Sequence, residues 1–109
     1  MLDRSGVDDI GRVFHALADP TRRAIVEQLA RGPAAVKALA EPRAMSLQAV
    51  LEHLKVLEGA GVIATEKVGR VRSCRLEPAV LRAAERWLAG QRTESERQLD
   101  RLGDYLKGK

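Results

Sequence analysis

The sequence is poor in cysteine and in aromatic residues, with one Cys, one Phe, one Trp and one Tyr among its 109 residues. Cys74 alone cannot form an intrachain disulfide, and one chain cannot build a cysteine-based zinc cluster from it. The three aromatic side chains are too few for the stacking platforms of sheets that bind RNA or single strands. The fold must therefore be held together by packing, and such binding modules are disfavoured.

Long apolar runs are also missing. The longest uncharged stretch covers residues 44–51, whereas a membrane-spanning helix needs about 18 apolar residues. Asp3 lies where a secretory signal would carry only basic residues, and no apolar segment follows it. We therefore expect a cytoplasmic protein without a membrane-spanning segment.

The length allows one domain, residues 1–109, and its charge is unevenly distributed. The net charge is +4, but residues 1–61 carry eight basic and eight acidic side chains. Residues 62–76 carry four basic side chains against one acidic, and residues 77–109 carry seven against six. A short basic segment is typical of a surface that touches phosphate, although a merely solvated basic hairpin is the alternative.

The first sixty residues predict four helices. Apolar residues at helical spacing indicate a first helix to about Ala18 and a second from Asp19-Pro20 to Gly32-Pro33, with Asp19 as its N-cap. A third helix of about two turns is expected before Glu41-Pro42. The fourth begins after Ser46, another N-cap residue, and ends at 59–61. Its apolar side carries Val50, Leu54 and Leu57.

The rest of the chain predicts a hairpin and a long helix. Two β-branched runs flank Gly69-Arg70, a dipeptide suited to a two-residue turn, within residues 62–76. Residues 79–106 predict one helix that is too long for its own core, so we expect a homodimer built on it. The expected interface leucines are Leu88, Leu99, Leu102 and Leu106. The alternative is a break at Gly90 into two shorter helices folded back on one protomer.

These elements predict a mainly α fold with a small β-hairpin. The third and fourth helices form a helix-turn-helix over about 34–60, and a basic hairpin directly after it, the wing, makes this a winged helix-turn-helix. In such folds the second helix of the motif enters the DNA major groove. Double-stranded DNA is therefore the expected partner.

Several segments together resemble the ArsR family of bacterial winged-helix repressors over residues 12–106. They are ALADPTRRAI at 16–25, MSLQAV at 45–50, HLKVLE at 53–58, and GR at 69–70 followed by CRL at 74–76. The resemblance implies a homodimeric transcriptional repressor of a short inverted repeat. It also implies that the fourth helix enters the major groove with the wing alongside.

The geometry of the fourth helix predicts which side chains face DNA. With Val50 and its neighbours in the core, Gln48, Glu52 and Lys55 lie on the opposite side, and Leu51 lies on the flank. Glutamine suits adenine, lysine suits guanine or phosphate, and leucine can contact a thymine methyl group. Two further groups of candidates are Ser46 at the helix N-terminus, where phosphate is favoured, and Lys67, Arg70 and Arg72 on the wing.

Two residues depart from the family pattern. Similar sequences usually have a small polar residue at the position of Leu51 and a basic or amide residue at that of Glu52. The helix is therefore net acidic from Ser46 to Glu58. The Glu52 carboxylate could alter the sequence specificity by accepting a hydrogen bond from cytosine N4, or could weaken DNA binding by repelling phosphate. A winged-helix adaptor or antirepressor that binds other proteins is the alternative function.

No other chemistry is indicated. Many members of this family sense metals, but His15, His53 and Cys74 are scattered, so we expect no metal, no cofactor and a partly buried His53 bonded to the backbone. We expect the same of His15, and a buried thiol for Cys74. No catalytic constellation is visible, so an enzyme is not expected. The sequence leaves open whether an unidentified small-molecule effector binds. Residues 91–95 could line a polar pocket for it between protomers, or could be a solvated stretch.

Overall fold

A computed structural model describes the backbone of residues 5–108 and the side chains of residues 9–108. The elements follow the order α1 Ser5–Leu17, α2 Pro20–Leu29, β1 Ala34–Ala35, α3 Val36–Ala40, α4 Leu47–Gly59, β2 Ile63–Val68, β3 Val71–Leu76, α5 Pro78–Ala89 and α6 Glu94–Lys107. The three strands form an antiparallel sheet in the order β1-β3-β2. The mainly α fold with a winged helix-turn-helix is confirmed. None of the described helices is long and apolar enough to cross a membrane.

The core lies where α1, α2, α3 and α4 meet the sheet. The predicted apolar side of α4 is buried, because Val50, Leu54 and Leu57 recur at helical spacing and meet Ile25 of α2 and Leu39 of α3 in one cluster. With this side fixed in the core, the opposite side of α4 must face solvent. At five residues, α3 is shorter than the two turns predicted.

The junction between α1 and α2 is organised by Arg22. Asp19 is the N-cap of α2 as predicted, and its carboxylate accepts a hydrogen bond from the backbone N–H of Arg22 at 3.1 Å. The Arg22 guanidinium donates to the carbonyl oxygens of Ala16 at 2.7 Å and His15 at 3.2 Å. It thus adds donors to carbonyl groups at the end of α1, where the His15 oxygen also accepts from the backbone N–H of Ala18 at 3.1 Å.

The predicted hairpin is formed by β2 and β3. Val68 pairs with Val71, which leaves the predicted two-residue loop at Gly69-Arg70. Gly69 has a φ of 64°, a conformation that side chains disfavour and that such tight loops require. The third strand, β1, pairs with β3 through Ala34 and Ala35. It was not predicted, because two residues are too few to show a strand period.

The predicted single helix over 79–106 is wrong. α5 ends at Ala89, with Gly90 as its C-cap, and α6 begins after Thr93. The Thr93 hydroxyl accepts from the Glu96 N–H while the Glu96 carboxylate accepts from the Thr93 N–H, which makes a capping box. The break at Gly90 is therefore correct, but α6 buries none of its residues and does not fold back on its own protomer. The molecule is accordingly elongated, at 60 × 37 × 26 Å.

Candidate nucleic-acid interface

The N-terminus of α4 is exposed and capped by Ser46. The Ser46 hydroxyl oxygen accepts a hydrogen bond from the backbone N–H of Ala49 at 3.1 Å. The cap leaves the other N–H groups of the first turn, and the partial positive charge of this helix end, directed at solvent. Ser46 thus sits at an anion-attracting helix end, as predicted, and also orders that end.

A groove of about 350 Å³ runs between α4 and the wing. Gln48, Glu52 and Lys55 of α4 line it and are exposed, and Leu51, which also lines it, is half-buried. Arg72 reaches it from β3. The structure therefore brings together five of the eight residues predicted to contact DNA, with an amide, a carboxylate, an ammonium and a guanidinium around one concave surface.

The other wing residues lie beyond the groove. Lys67 is opposite Arg72 in the β2–β3 register, so the two side chains share the sheet face that also carries Thr65. Arg70 occupies the exposed loop at the tip of the hairpin. All three predicted cations of the wing are exposed, and none has an ion-pair partner among the described residues. The wing thus presents free positive charge on its α4 side and at its tip.

A hydrogen bond between Glu58 and Thr65, which was not predicted, joins the wing to α4. The Thr65 hydroxyl donates to Oε2 of Glu58 at 2.8 Å. From the sequence, Glu58 is only one of the negative charges on α4. Its partner Thr65 could not be predicted, because no helical or strand spacing relates residues that lie on two different elements. This hydrogen bond joins the last turn of α4 to the first half of β2. It therefore helps to hold the wing at a fixed orientation relative to α4.

Arg43 holds the turn between α3 and α4. Its guanidinium donates to Oε1 of Gln28 at 3.0 Å and to the carbonyl oxygen of Leu39. Burial lowers the pKa of Arg43 below its ordinary value, because desolvation disfavours the charged form. These contacts tie the end of α3 to α2, and thereby position the turn that aims α4.

The two histidines differ from their prediction. His53 is partly buried, but its Nδ1 lies 3.2 Å from Nη1 of Arg22 and 3.9 Å from a carboxylate oxygen of Asp19, so its partners are side chains rather than the backbone. A guanidinium only donates, so Nδ1 of His53 is the acceptor. His15 is exposed rather than partly buried, because it lies on the outer side of α1.

Cys74 is fully buried, as predicted. Burial raises the pKa of its thiol, and the negative charge of Glu58 raises it further, against a smaller opposing effect of Arg72. The thiolate, which is the reactive form, is thus disfavoured. Among the described residues, no group of three or more His, Cys, Asp or Glu side chains could hold a metal ion.

The leucines predicted at a dimer interface are exposed on the single chain. Leu88 of α5 and Leu99, Leu102 and Leu106 of α6 keep 54–68% of their surface accessible. Trp87 is also partly exposed, and its ring packs edge-on against Phe14 of α1 with centroids 5.6 Å apart. An apolar surface therefore extends along the two C-terminal helices.

Comparisons with known proteins agree with this arrangement. A family described as a helix-turn-helix domain matches residues 17–66. The HTH-type transcriptional regulator Rv2034 of Mycobacterium tuberculosis is 49% identical over 72 residues, which make up 66% of this chain and 67% of that regulator. The crystal structure of the ArsR family transcriptional regulator RHA00566 is 48% identical with a TM-score of 0.73, over 77% of this chain and 87% of that one. The chain belongs to the ArsR family.

Membership of the ArsR family makes the chain a DNA-binding transcriptional regulator. A further relative by structure is Mb0332 from Mycobacterium bovis, whose homodimeric winged helix-turn-helix DNA-binding domain is 29% identical with a TM-score of 0.68. That similarity covers 83% of this chain and 87% of the other. The elements of this ArsR-family chain therefore correspond to a helix-turn-helix, α3 and α4, followed by a wing, β2 and β3.

Proposed function

We propose that this chain is a homodimeric repressor that binds an inverted-repeat operator, with α4 in the major groove. The observation that carries the proposal is the groove that gathers polar side chains of α4 beside Arg72. Gln48 can pair with N6 and N7 of adenine, Lys55 can donate to O6 and N7 of guanine, and Glu52 can accept from N4 of cytosine. Leu51 supplies an apolar contact to a thymine methyl group. These are the base-reading residues of the proposal.

The DNA backbone would be held at both ends of this surface. Ser46 meets a phosphate at the N-terminus of α4, where the helix dipole favours negative charge. On the wing, Arg70 enters or borders the minor groove, and Lys67 or Arg72 meets phosphate. These contacts set orientation and affinity rather than sequence preference.

The proposed dimer uses the C-terminal helices. Because α6 buries nothing on its own chain, its apolar side chains leave water only against a second chain. Leu88, Leu99, Leu102 and Leu106 would form that interface. Two-fold symmetry then presents two copies of α4 to two half-sites, which is why an inverted repeat is the matching operator. The homodimeric state of Mb0332 supports this assembly.

A protein-binding adaptor or antirepressor is the second candidate. The exposed side of α4 favours this candidate, because the charge of Lys55, its single cation, is balanced by the negative charge of Glu52. This side therefore attracts phosphate only weakly. The salt dependence of DNA affinity separates the two functions. A repressor should bind a specific DNA sequence with an affinity that falls steeply as the salt concentration rises, because binding releases counterions from the phosphates.

Selection of bound sequences from a random pool of duplex DNA tests the proposal. We expect enrichment of an inverted repeat whose half-site centres are about 10 base pairs, or a multiple of this, apart. Gln48→Ala is the matched variant, since it removes a proposed base contact from an exposed position and should relax the preference at one base pair per half-site. A pool that never enriches would contradict the repressor and favour the adaptor.

The chain acts without catalysis, as a cytoplasmic regulator with direct access to chromosomal DNA. Metals do not control it. An effector of unidentified chemistry would be recognised as a compound that releases the enriched operator. The stretch 91–95, a candidate for its pocket, is exposed, and Thr93 is engaged in the capping box.

A further inference from the structure

The first residue of α4, Leu47, is exposed although the core is close by. Its side chain keeps 55% of its surface accessible and lies outside the core cluster. With Val36 and Ala40 of α3 it lines a shallow, almost wholly apolar groove of about 500 Å³, bordered by Lys37 and Glu41. We call Val36, Ala40 and Leu47 the Leu47 patch. More than half of the Leu47 surface thus stays in contact with water in the single chain.

The Leu47 patch adjoins the groove that carries the base-reading residues. Val36 lines both grooves. Leu51, which lines the groove between α4 and the wing, lies one helical turn after Leu47 on the same side of α4. The apolar surface is therefore continuous from α3 to the middle of α4, beside Gln48.

We propose that the Leu47 patch reads the 5-methyl group of a thymine in the operator. The inference rests on the proposed function and adds a specificity determinant to it. The N-terminal residues of the second helix in a helix-turn-helix contact base edges, and Leu47 is the first residue of that helix. The thymine methyl is the apolar group on the edge of a base in the major groove. A leucine beside alanine and valine has no hydrogen bond to offer, so a methyl group is the feature that it can recognise.

The charges around the patch favour DNA over a protein as its occupant. The Lys37 ammonium borders the patch, and the N-terminus of α4 contributes partial positive charge on the same side. Both suit the phosphates that flank a base pair, against the single carboxylate of Glu41. The patch is thus an apolar spot bordered by one ammonium, one carboxylate and the positive end of α4, and that helix end suits a phosphate close to the methyl group.

Replacing thymine by uracil in the operator isolates the methyl group. The substitution removes one methyl and leaves every hydrogen-bonding atom of the base pair in place. With the operator enriched by selection, each thymine is replaced in turn, and affinity is measured by fluorescence anisotropy at fixed salt. Besides the thymine that Leu51 is proposed to contact, we expect a second thymine per half-site at which uracil weakens binding about two- to fourfold, as a buried methyl group predicts.

A pair of variants assigns that methyl group to Leu47. In Leu47→Ala, uracil and thymine at that position should bind equally, whereas Arg70→Ala should weaken both and keep their ratio. The inference is overturned if no thymine is sensitive, if Leu47→Ala keeps the full penalty, or if Leu51→Ala alone removes it. Because the uracil substitution leaves the protein unchanged, its result does not depend on the folding of a variant. Absence of DNA binding altogether would instead overturn the proposed function, and the inference with it.

Discussion

Replacing Arg22 with alanine is expected to destabilise the fold strongly, although the side chain lies outside the hydrophobic core. Its guanidinium bonds two carbonyl oxygens in the last turn of α1, those of Ala16 and His15, and reaches Nδ1 of His53 on α4. One side chain thus connects α1, α2 and α4. The substitution leaves three acceptors without this donor and also removes a cation from the C-terminal end of α1.

The magnitude follows from these three contacts. Hydrogen bonds to charged groups contribute roughly 1.5–3 kcal/mol each when buried, and partial exposure of Arg22 reduces this to about 1 kcal/mol each. We expect a loss of about 3 kcal/mol in the free energy of unfolding. Small domains have about 5–15 kcal/mol in total, so the loss would be a large fraction of the stability.

Urea unfolding followed by far-ultraviolet circular dichroism measures this loss. Neighbouring Arg23 is the control, because its guanidinium makes one exposed hydrogen bond, to the carbonyl oxygen of Leu17 at 2.8 Å. Arg23→Ala should cost no more than about 1 kcal/mol. All proteins are compared at one concentration, since dimer formation contributes to apparent stability. Equal losses in the free energy of unfolding for Arg22→Ala and Arg23→Ala would refute the conclusion that Arg22 holds α1, α2 and α4 together.

Four further predictions concern DNA, assembly and metals. Glu52→Gln should weaken the best operator by about 1–3 kcal/mol and relax one base preference, whereas equal tightening on specific and random DNA would contradict base reading by this carboxylate. Arg70→Ala should weaken all DNA sequences evenly and lower the log–log salt slope by about 0.9 for each phosphate that the variant no longer neutralises; an unchanged slope would exclude the wing tip from the interface. Light scattering at micromolar concentration should give twice 12.0 kDa, and Leu102→Glu should give the monomer mass, so a monomeric parent chain would contradict the symmetric repressor. Zinc, cadmium or arsenite should leave DNA affinity unchanged within about twofold, and tight stoichiometric binding that releases the operator would reveal a site between subunits.

The sequence was sufficient for the elements whose signals are local. Asp19 and Ser46 cap helices in the structure because an N-cap depends on a side chain and a backbone N–H three residues away. The buried stripe of α4 follows from a period of 3.6 residues, and the hairpin loop follows from a glycine that accepts a positive φ. The break before α6 also has a local signal, the Thr93–Glu96 capping box, which the prediction of one helix over 79–106 left out of account.

Contacts between distant segments were decided by the tertiary structure. The pairing of β1 with β3, the Glu58–Thr65 hydrogen bond and the Arg22–His53 contact join residues whose separation in the chain carries no period. The same holds for the groove itself. Sequence spacing could place Gln48, Glu52 and Lys55 on one side of a helix, because a helix repeats every 3.6 residues. Only the packing of the hairpin against α4 could bring Arg72 beside them, because the distance between two elements depends on the core that both of them cover.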